Sequence, residues 1–168
     1  MGKQEEILEK SRKLRGEILS AAIWIEIDLT REIRNYFFKK SGERDRLFYW
    51  EILNTKKFGF DDKVNLFKTI SPFKKRKHYE KIVESLTFIK KLRNIMAHWD
   101  VLINESDNKK IVFCDTSKFG RKINKNKARF AVDAKILDKF DEEIVFFHTV
   151  VCKTHNLEKE NLKNLLNK

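Results

Sequence analysis

The sequence has few of the features that would place it outside the cell or in a membrane. It contains two cysteines, Cys114 and Cys152, which favours a reducing, cytoplasmic setting. The N-terminal stretch is charged from Lys3 onward and does not resemble a secretory signal. No apolar run approaches the roughly 20 residues that a membrane-spanning helix requires. We therefore expect a cytoplasmic protein with no role in a membrane.

The chain also has little that would divide it into separate domains. It has one proline, Pro72, and five glycines in 168 residues, and no stretch of it resembles a flexible joint. A chain of this length can bury one compact core. We therefore expect a single domain that spans residues 1–168.

Acidic residues are outnumbered, since 37 lysines and arginines face 25 aspartates and glutamates, for a formal charge of +12. Such an excess favours polyanionic partners, most simply nucleic acid, because each phosphate contact releases condensed counterions. A lysine-rich surface that serves only solubility gives the same composition. The distribution of the charges has to separate these two interpretations.

Apolar residues recur every three or four positions through most of the chain, which is typical of amphipathic helices. Helices are expected from Lys3 to about Phe38, from Leu47 to Leu53, from Asp61 or Asp62 to just before Pro72, from about Lys75 to Leu102, from Asp133 onward, and after a cap at Asn156. Two β-branched and aromatic stretches, 109–115 and 128–134, flank a basic segment and predict a β-hairpin. The sequence thus predicts an all-α bundle of four to five helices with a small β-hairpin insertion at about residues 109–132.

The stretch "KKLRNIMAHWD", residues 90–100, places three polar residues in an otherwise apolar helical pattern. Asn94 and His98 are four residues apart, so they lie within roughly 40° of each other on a helix. Arg93 falls on the apolar side, where a guanidinium needs a carboxylate, a phosphate or water. One interpretation is structural: Arg93 pairs with Glu26 or Asp28 of the first helix, and the other two bind backbone carbonyls.

The same stretch resembles the signature of the HEPN superfamily (higher eukaryotes and prokaryotes nucleotide-binding), in which arginine, a polar residue and histidine follow at short spacing. Arg93, Asn94 and His98 match those positions. The segment from "FGFDDKVNLFKTI" to "RNIMAHWD" is also similar to the mannitol-operon-repressor-like and related branches. The resemblance covers about residues 24–102 well and the remainder only loosely.

The resemblance implies a metal-independent endoribonuclease that acts on single-stranded RNA as a homodimer, in a toxin or defence role. In such an enzyme His98 moves a proton at neutral pH, while Arg93 and Asn94 hold or orient the phosphate. Two copies of the motif would supply both a base and an acid. An antitoxin or a nucleotidyltransferase-like protein would be the protein partner. The resemblance equally allows a non-catalytic module that binds a nucleotide, RNA or a protein.

Two basic concentrations are the predicted RNA-binding residues. The first lies before and within the motif helix, and the second is the segment between the predicted strands, which has no acidic residue between Lys118 and Arg129. A solvated charged surface is the plainer interpretation of both. Phe119 lies amid the second concentration, where its ring can stack on an unpaired base. The predicted contacts are Lys74, Lys75, Arg76, Lys77, Lys90, Lys118, Phe119, Arg121, Lys122, Lys125, Lys127 and Arg129.

A metal site is the weaker interpretation of a third cluster. His148, Cys152 and His155 have spacings of four and three, which suits zinc geometrically. The sequence offers no fourth ligand nearby, and Val145 and Val151 lie on the same face. We expect a packed cysteine beside two partly exposed histidines, and neither a metal nor a cofactor.

Overall fold

A computed structural model of the chain describes residues 2–38, 42–55, 57–107, 109–116 and 129–152. Within these ranges the protein is mostly helical with a small antiparallel sheet, so the predicted fold class is confirmed. The elements are α1 (Lys3–Phe37), α2 (Glu43–Phe48), α3 (Phe60–Thr69), α4 (Ser71–Lys74), α5 (Tyr79–His98), β1 (Asp100–Val101), β2 (Lys110–Cys114), β3 (Arg129–Asp133) and α6 (Ala134–Phe147).

The described residues form two compact units, and the expectation of a single domain stays a prediction. The first unit contains the described residues up to Ala21 and those between Lys91 and Glu142. Its three strands form one sheet in the order β1-β2-β3, with both pairs antiparallel. The start of α1, the end of α5 and the start of α6 complete this unit. Its buried apolar side chains include Ile7, Leu14, Ile18, Leu92, Ile95, Met96, Phe113, Val132 and Phe140.

The second unit contains the described residues between Ala22 and Lys90 and those from Glu143 onward. Helices α2, α3 and α4 belong to it, together with the end of α1, most of α5 and the end of α6. The predicted periodicity explains its core, because the apolar residues of each helix point inward at spacings of three and four. Its buried side chains include Ile25, Leu29, Ile33, Val64, Phe67, Phe73, Ile82, Leu86, Ile89, Ile144 and Phe147.

The helix that carries the motif is shorter than predicted at its C-terminal end. We expected it to continue to Leu102, but it ends at His98. Asp100 pairs with Cys114 and Val101 with Phe113, so these residues form β1 on the edge of β2. The predicted β-hairpin is confirmed as the antiparallel pair of β2 and β3, and β1, which lies before the insertion, adds a third strand that was not predicted. Because β1 and its partners on β2 are far apart along the chain, their pairing leaves no pattern in the local sequence.

The same helix also begins later than predicted. Pro72 lies in the first turn of α4, where its missing N–H is tolerated. The chain then turns at His78, whose φ of 64° is left-handed, and α5 begins at Tyr79 instead of Lys75. A left-handed residue interrupts a right-handed helix, which explains the later start.

Other boundaries agree more closely with the sequence. Helix α1 has the predicted extent, and the side chain of Asp133 accepts a hydrogen bond from the Ile136 N–H at 3.0 Å at the start of α6. Asp62 accepts from the Gly59 N–H at 3.0 Å, so Gly59 is the cap residue and α3 begins at Phe60, just before the predicted start at Asp61 or Asp62. The helix predicted from Leu47 begins earlier, at Glu43, and continues into a π-turn over Tyr49–Leu53. The predicted helix after Asn156 lies outside the described residues.

Candidate functional site

The three motif residues lie in the last turns of α5, in the first unit. Arg93 and Asn94 are half-buried, and His98 is exposed. The Nη1 atom of Arg93 donates a hydrogen bond to Oδ1 of Asn94 at 3.0 Å. The structure therefore brings the guanidinium and the amide together, while the imidazole lies one turn further toward the helix end.

One side of α5 faces solvent along this stretch. Lys91, Asn94 and His98 have spacings of three and four, so they share that side. The apolar residues between them, Leu92 and Ile95, are buried in the first unit. The ammonium group of Lys91 lies 5.0 Å from the ring centre of Phe130, a cation–π contact. The exposed side thus carries a cation, an amide and an imidazole in sequence.

The imidazole of His98 is accessible from solvent. His98 is exposed at the end of α5. A group that transfers a proton to or from a bound substrate must reach it, and exposure meets that requirement. A histidine that served only to fill the core would be enclosed.

Arg15 of α1 holds the end of the motif helix in place. Its Nη1 donates to the carbonyl oxygen of Met96 at 2.5 Å, and its Nη2 donates to the carbonyl oxygen of Trp99. The guanidinium also lies 5.0 Å from the ring centre of Phe113. Burial lowers the pKa of Arg15, and the charge of Asp100 opposes that effect. These carbonyls lack partners within the helix, so the arginine both satisfies them and neutralises the negative end of the helix dipole.

Sequence reasoning did not identify Arg15, although a local signal was present. Arg15 is four residues after Ser11 and three before Ile18, and both of these side chains are buried. An arginine on the inward side of a helix needs acceptors, as Arg93 does. Its acceptors are backbone carbonyls about 80 residues away, which no side-chain pattern marks.

The acids that could have held Arg93 structurally have cationic partners in the second unit. Glu26 Oε1 accepts from Lys63 Nζ at 2.6 Å. Asp28 lies 3.0 Å from Arg31 Nη1 and 3.0 Å from His148 Nδ1. Both carboxylates are thus engaged within that unit, and Arg93 uses the amide of Asn94.

Three predicted RNA-binding cations already have acidic partners. Arg76 lies 2.9 Å from Glu32 and packs on the ring of Phe73. Lys90 lies 3.7 Å from Asp61, and Arg129 lies 2.9 Å from Glu105. These pairs reduce the charge that each cation offers to a phosphate.

Lys74, Lys75 and Lys77 are exposed, as an RNA contact requires. They occupy the end of α4 and the turn that follows, so none of them lies in the motif helix, which was predicted to begin at about Lys75. They belong to the second unit, whereas the motif belongs to the first. The remaining predicted contacts, Lys118, Phe119, Arg121, Lys122, Lys125 and Lys127, lie outside the described residues.

The described residues include no group of three histidines, cysteines, aspartates or glutamates placed to hold a metal. His148 and Cys152 fall in a π-turn that follows α6, and His155 lies outside the described ranges. In the described part of the chain no helix is long and apolar enough to cross a membrane.

Comparisons with known proteins provide no relative from which the role of the motif could be inferred. The resemblance to the HEPN superfamily accordingly stays a prediction carried by Arg93, Asn94 and His98. Neither the protein families, nor the curated proteins, nor the solved structures contain a match to this chain.

Proposed function

We propose that this chain is a HEPN-type endoribonuclease that cleaves single-stranded RNA without a metal ion. The observation that carries the proposal is the exposure of His98 at the end of α5, one turn beyond Asn94 and its hydrogen-bonded neighbour Arg93. A proton-transfer group, an amide and a guanidinium are thereby presented from one rigid helix.

The chemistry requires little more than these groups. RNA carries its own nucleophile, the 2′-hydroxyl, which attacks the adjacent phosphorus and forms a 2′,3′-cyclic phosphate while the 5′-oxygen leaves. His98 takes the proton from the 2′-hydroxyl or gives one to the leaving oxygen. Arg93 stabilises the charge that develops on the phosphate oxygens, because its planar fork matches two of them.

A second histidine would complete the acid–base pair. The motif supplies one per chain, so we propose that two copies of α5 meet at a two-fold axis and each contributes His98. The exposure of His98 supports this arrangement, because the imidazole is open to a neighbouring chain as well as to RNA. Lys91, in the same unit as the motif, would supply affinity for the RNA backbone through counterion release. Lys74, Lys75 and Lys77 of the second unit remain predicted RNA contacts of that unit.

One observation favours a second candidate, a module that binds RNA or a nucleotide without cleaving it. The Arg93–Asn94 hydrogen bond occupies the amide oxygen and one guanidinium donor. A site that only holds a ligand can keep this hydrogen bond, because neither side chain has to move for catalysis. The cleavage assay separates the two candidates.

The test uses the purified full chain, 5′-labelled single-stranded RNA of several sequences and a buffer that contains EDTA. We expect cleavage near neutral pH, products with 2′,3′-cyclic phosphate ends, and no cleavage of DNA, which lacks the 2′-hydroxyl. His98→Ala should abolish cleavage but keep salt-sensitive RNA binding.

His78→Asn is the matched control, since it removes another exposed imidazole and asparagine tolerates the left-handed backbone there. It should cleave RNA at the wild-type rate. Intact RNA with wild-type protein would refute the nuclease and favour the binding module. Cleavage that survives His98→Ala would place the activity elsewhere.

A further inference from the structure

A second feature of the first unit is a cavity of about 620 Å³ with a basic rim, called here the basic cleft. Its volume falls within the range of about 300–1,000 Å³ that is usual for ligand sites. Three segments surround it: one face of α1, the start of β2, and the junction of β3 with α6. None of the proposed cleavage residues lines it.

Five lysines line the basic cleft, and they come from all three segments. They are Lys10, Lys13, Lys109, Lys110 and Lys135. All five are exposed, so the ammonium groups can reach a bound ligand. Converging flexible cations of one sign raise the local concentration of anions.

Two carboxylates also line the cleft, which leaves a formal charge of +3 on its walls. Oδ1 of Asp133 accepts a hydrogen bond from the N–H of Ile136 at the start of α6. Glu17 lies 4.0 Å from Lys13 and close enough to Asp141 to help raise its pKa. The cleft therefore has an acidic corner at Glu17 and a basic side formed by Lys109, Lys110 and Lys135.

The inner surface of the cleft is aliphatic. Its accessible part comes from Ala134, Leu137 and the aliphatic stems of the lysines, while Leu14, Ile111 and Val132 behind them are buried. Among the described residues that line the cleft, none is aromatic. A nucleobase would find no ring to stack on, which argues against RNA in this cavity. A ligand with aliphatic side chains would bury apolar surface there.

We propose that the basic cleft binds a short acidic segment of a partner protein in which carboxylates alternate with leucine, isoleucine or valine. A segment with several carboxylates can pair with several lysines of the cleft. A fatty acid has a single carboxylate, which can pair with only one or two of them. The aliphatic side chains contact the inner surface, and the carboxylates face Lys109, Lys110 and Lys135. This interaction is independent of the proposed cleavage of RNA.

The test measures fluorescence anisotropy of a labelled heptapeptide, in which aspartate and glutamate alternate with leucine and isoleucine, on the full chain. We expect saturable binding. Replacing the acids with asparagine and glutamine, or the aliphatic residues with serine, should each weaken binding by at least roughly tenfold. If the serine peptide binds as well as the parent, the attraction is only one of charge and the proposal fails.

Lys109→Glu/Lys135→Glu should weaken binding of the peptide by at least roughly tenfold, because like charges then face the carboxylates. Lys3→Glu/Lys57→Glu is the matched control, since it makes the same change in net charge at exposed positions that do not line the cleft. It should change the affinity by less than about threefold. Equal losses in the two variants would overturn the proposal.

A decauridylate competitor decides between the peptide and RNA. We expect it to leave the peptide bound at concentrations that saturate the RNA-binding surface. Displacement of the peptide by decauridylate, with loss of RNA affinity in Lys109→Glu/Lys135→Glu, would make the cleft an RNA surface and overturn the proposal. No binding of the parent peptide to the wild-type chain would also overturn it.

Discussion

The guanidinium of Arg15 donates a hydrogen bond to the carbonyl oxygen of Trp99, one residue beyond the end of α5. The same group binds the carbonyl of Met96, so one arginine closes the turn that carries His98. The position of His98 thus depends on a residue early in the chain. Arg15 is a positioning residue of the candidate site.

Arg15→Met should lower the free energy of unfolding by about 1–3 kcal/mol, because two partly buried carbonyl oxygens lose their donor. The cleavage rate should fall by more than the loss of folded protein explains, because the end of α5 beside His98 then frays. Arg15→Lys should recover part of the stability and part of the cleavage rate, because a lysine can reach one of the two carbonyl oxygens. Urea unfolding and cleavage rates check this, and unchanged values for Arg15→Met would contradict the assigned role.

Arg93→Lys should reduce the cleavage rate by roughly 100-fold, because an ammonium group cannot reproduce the two-point contact with phosphate. Stability should change by less than about 1 kcal/mol, since Arg93 is half-buried and its described partner is the neighbouring amide. Single-turnover kinetics and thermal melting separate the two effects. A large loss of stability with normal cleavage would make Arg93 a structural residue.

Asp141→Asn should stabilise the protein at neutral pH. Burial and the nearby carboxylates of Asp138 and Glu17 raise the pKa of Asp141 to about 6. The folded state therefore holds this proton more tightly than the unfolded state, and stability falls as pH rises from about 4 to about 6. After allowance for solvent screening, the gain at pH 7.5 should be about 1 kcal/mol, with almost none at pH 4.

Denaturant unfolding at both pH values measures this difference. Glu142→Gln is the control, since it removes the same charge from an exposed neighbouring position. It should change stability by less than about 0.5 kcal/mol at either pH. A gain from Asp141→Asn that is equally large at pH 4 would show that titration is not the cause.

Lys63→Ala should destabilise the second unit by about 1–3 kcal/mol. The Lys63 side chain is only 6% exposed and its ammonium lies 2.6 Å from Glu26, so the change leaves a partly buried carboxylate without its cation. Lys90→Ala, which removes the longer 3.7 Å pair with Asp61, should cost less than about 0.5 kcal/mol. Thermal melting of the two variants checks the order, and equal losses would contradict it.

A homodimer is expected from the single histidine of the motif. Light scattering at micromolar concentration should report twice the mass of the chain. Mixing inactive His98→Ala chains with wild-type chains should lower activity more than dilution does, because mixed dimers hold one imidazole. A monomer that cleaves RNA at full rate would refute the two-fold arrangement.

Local patterns in the sequence determined most of the helices. The recurrence of Ile18, Ile25 and Leu29 is sufficient to predict α1, because helical periodicity is a property of neighbouring residues. The cap at Asp133 is likewise a contact over three residues. The three motif residues were identified in the same way, since they lie within six positions of one helix.

Contacts between distant segments were decided only by the tertiary structure. The end of α5 at His98 follows from the pairing of Asp100 with Cys114 and from the reach of Arg15 to Trp99. The basic cleft gathers lysines from positions 10–13, 109–110 and 135, which have no common pattern in the sequence. Such sites depend on how folded elements pack, because side chains far apart along the chain become neighbours only when burial of the apolar core brings their backbones together.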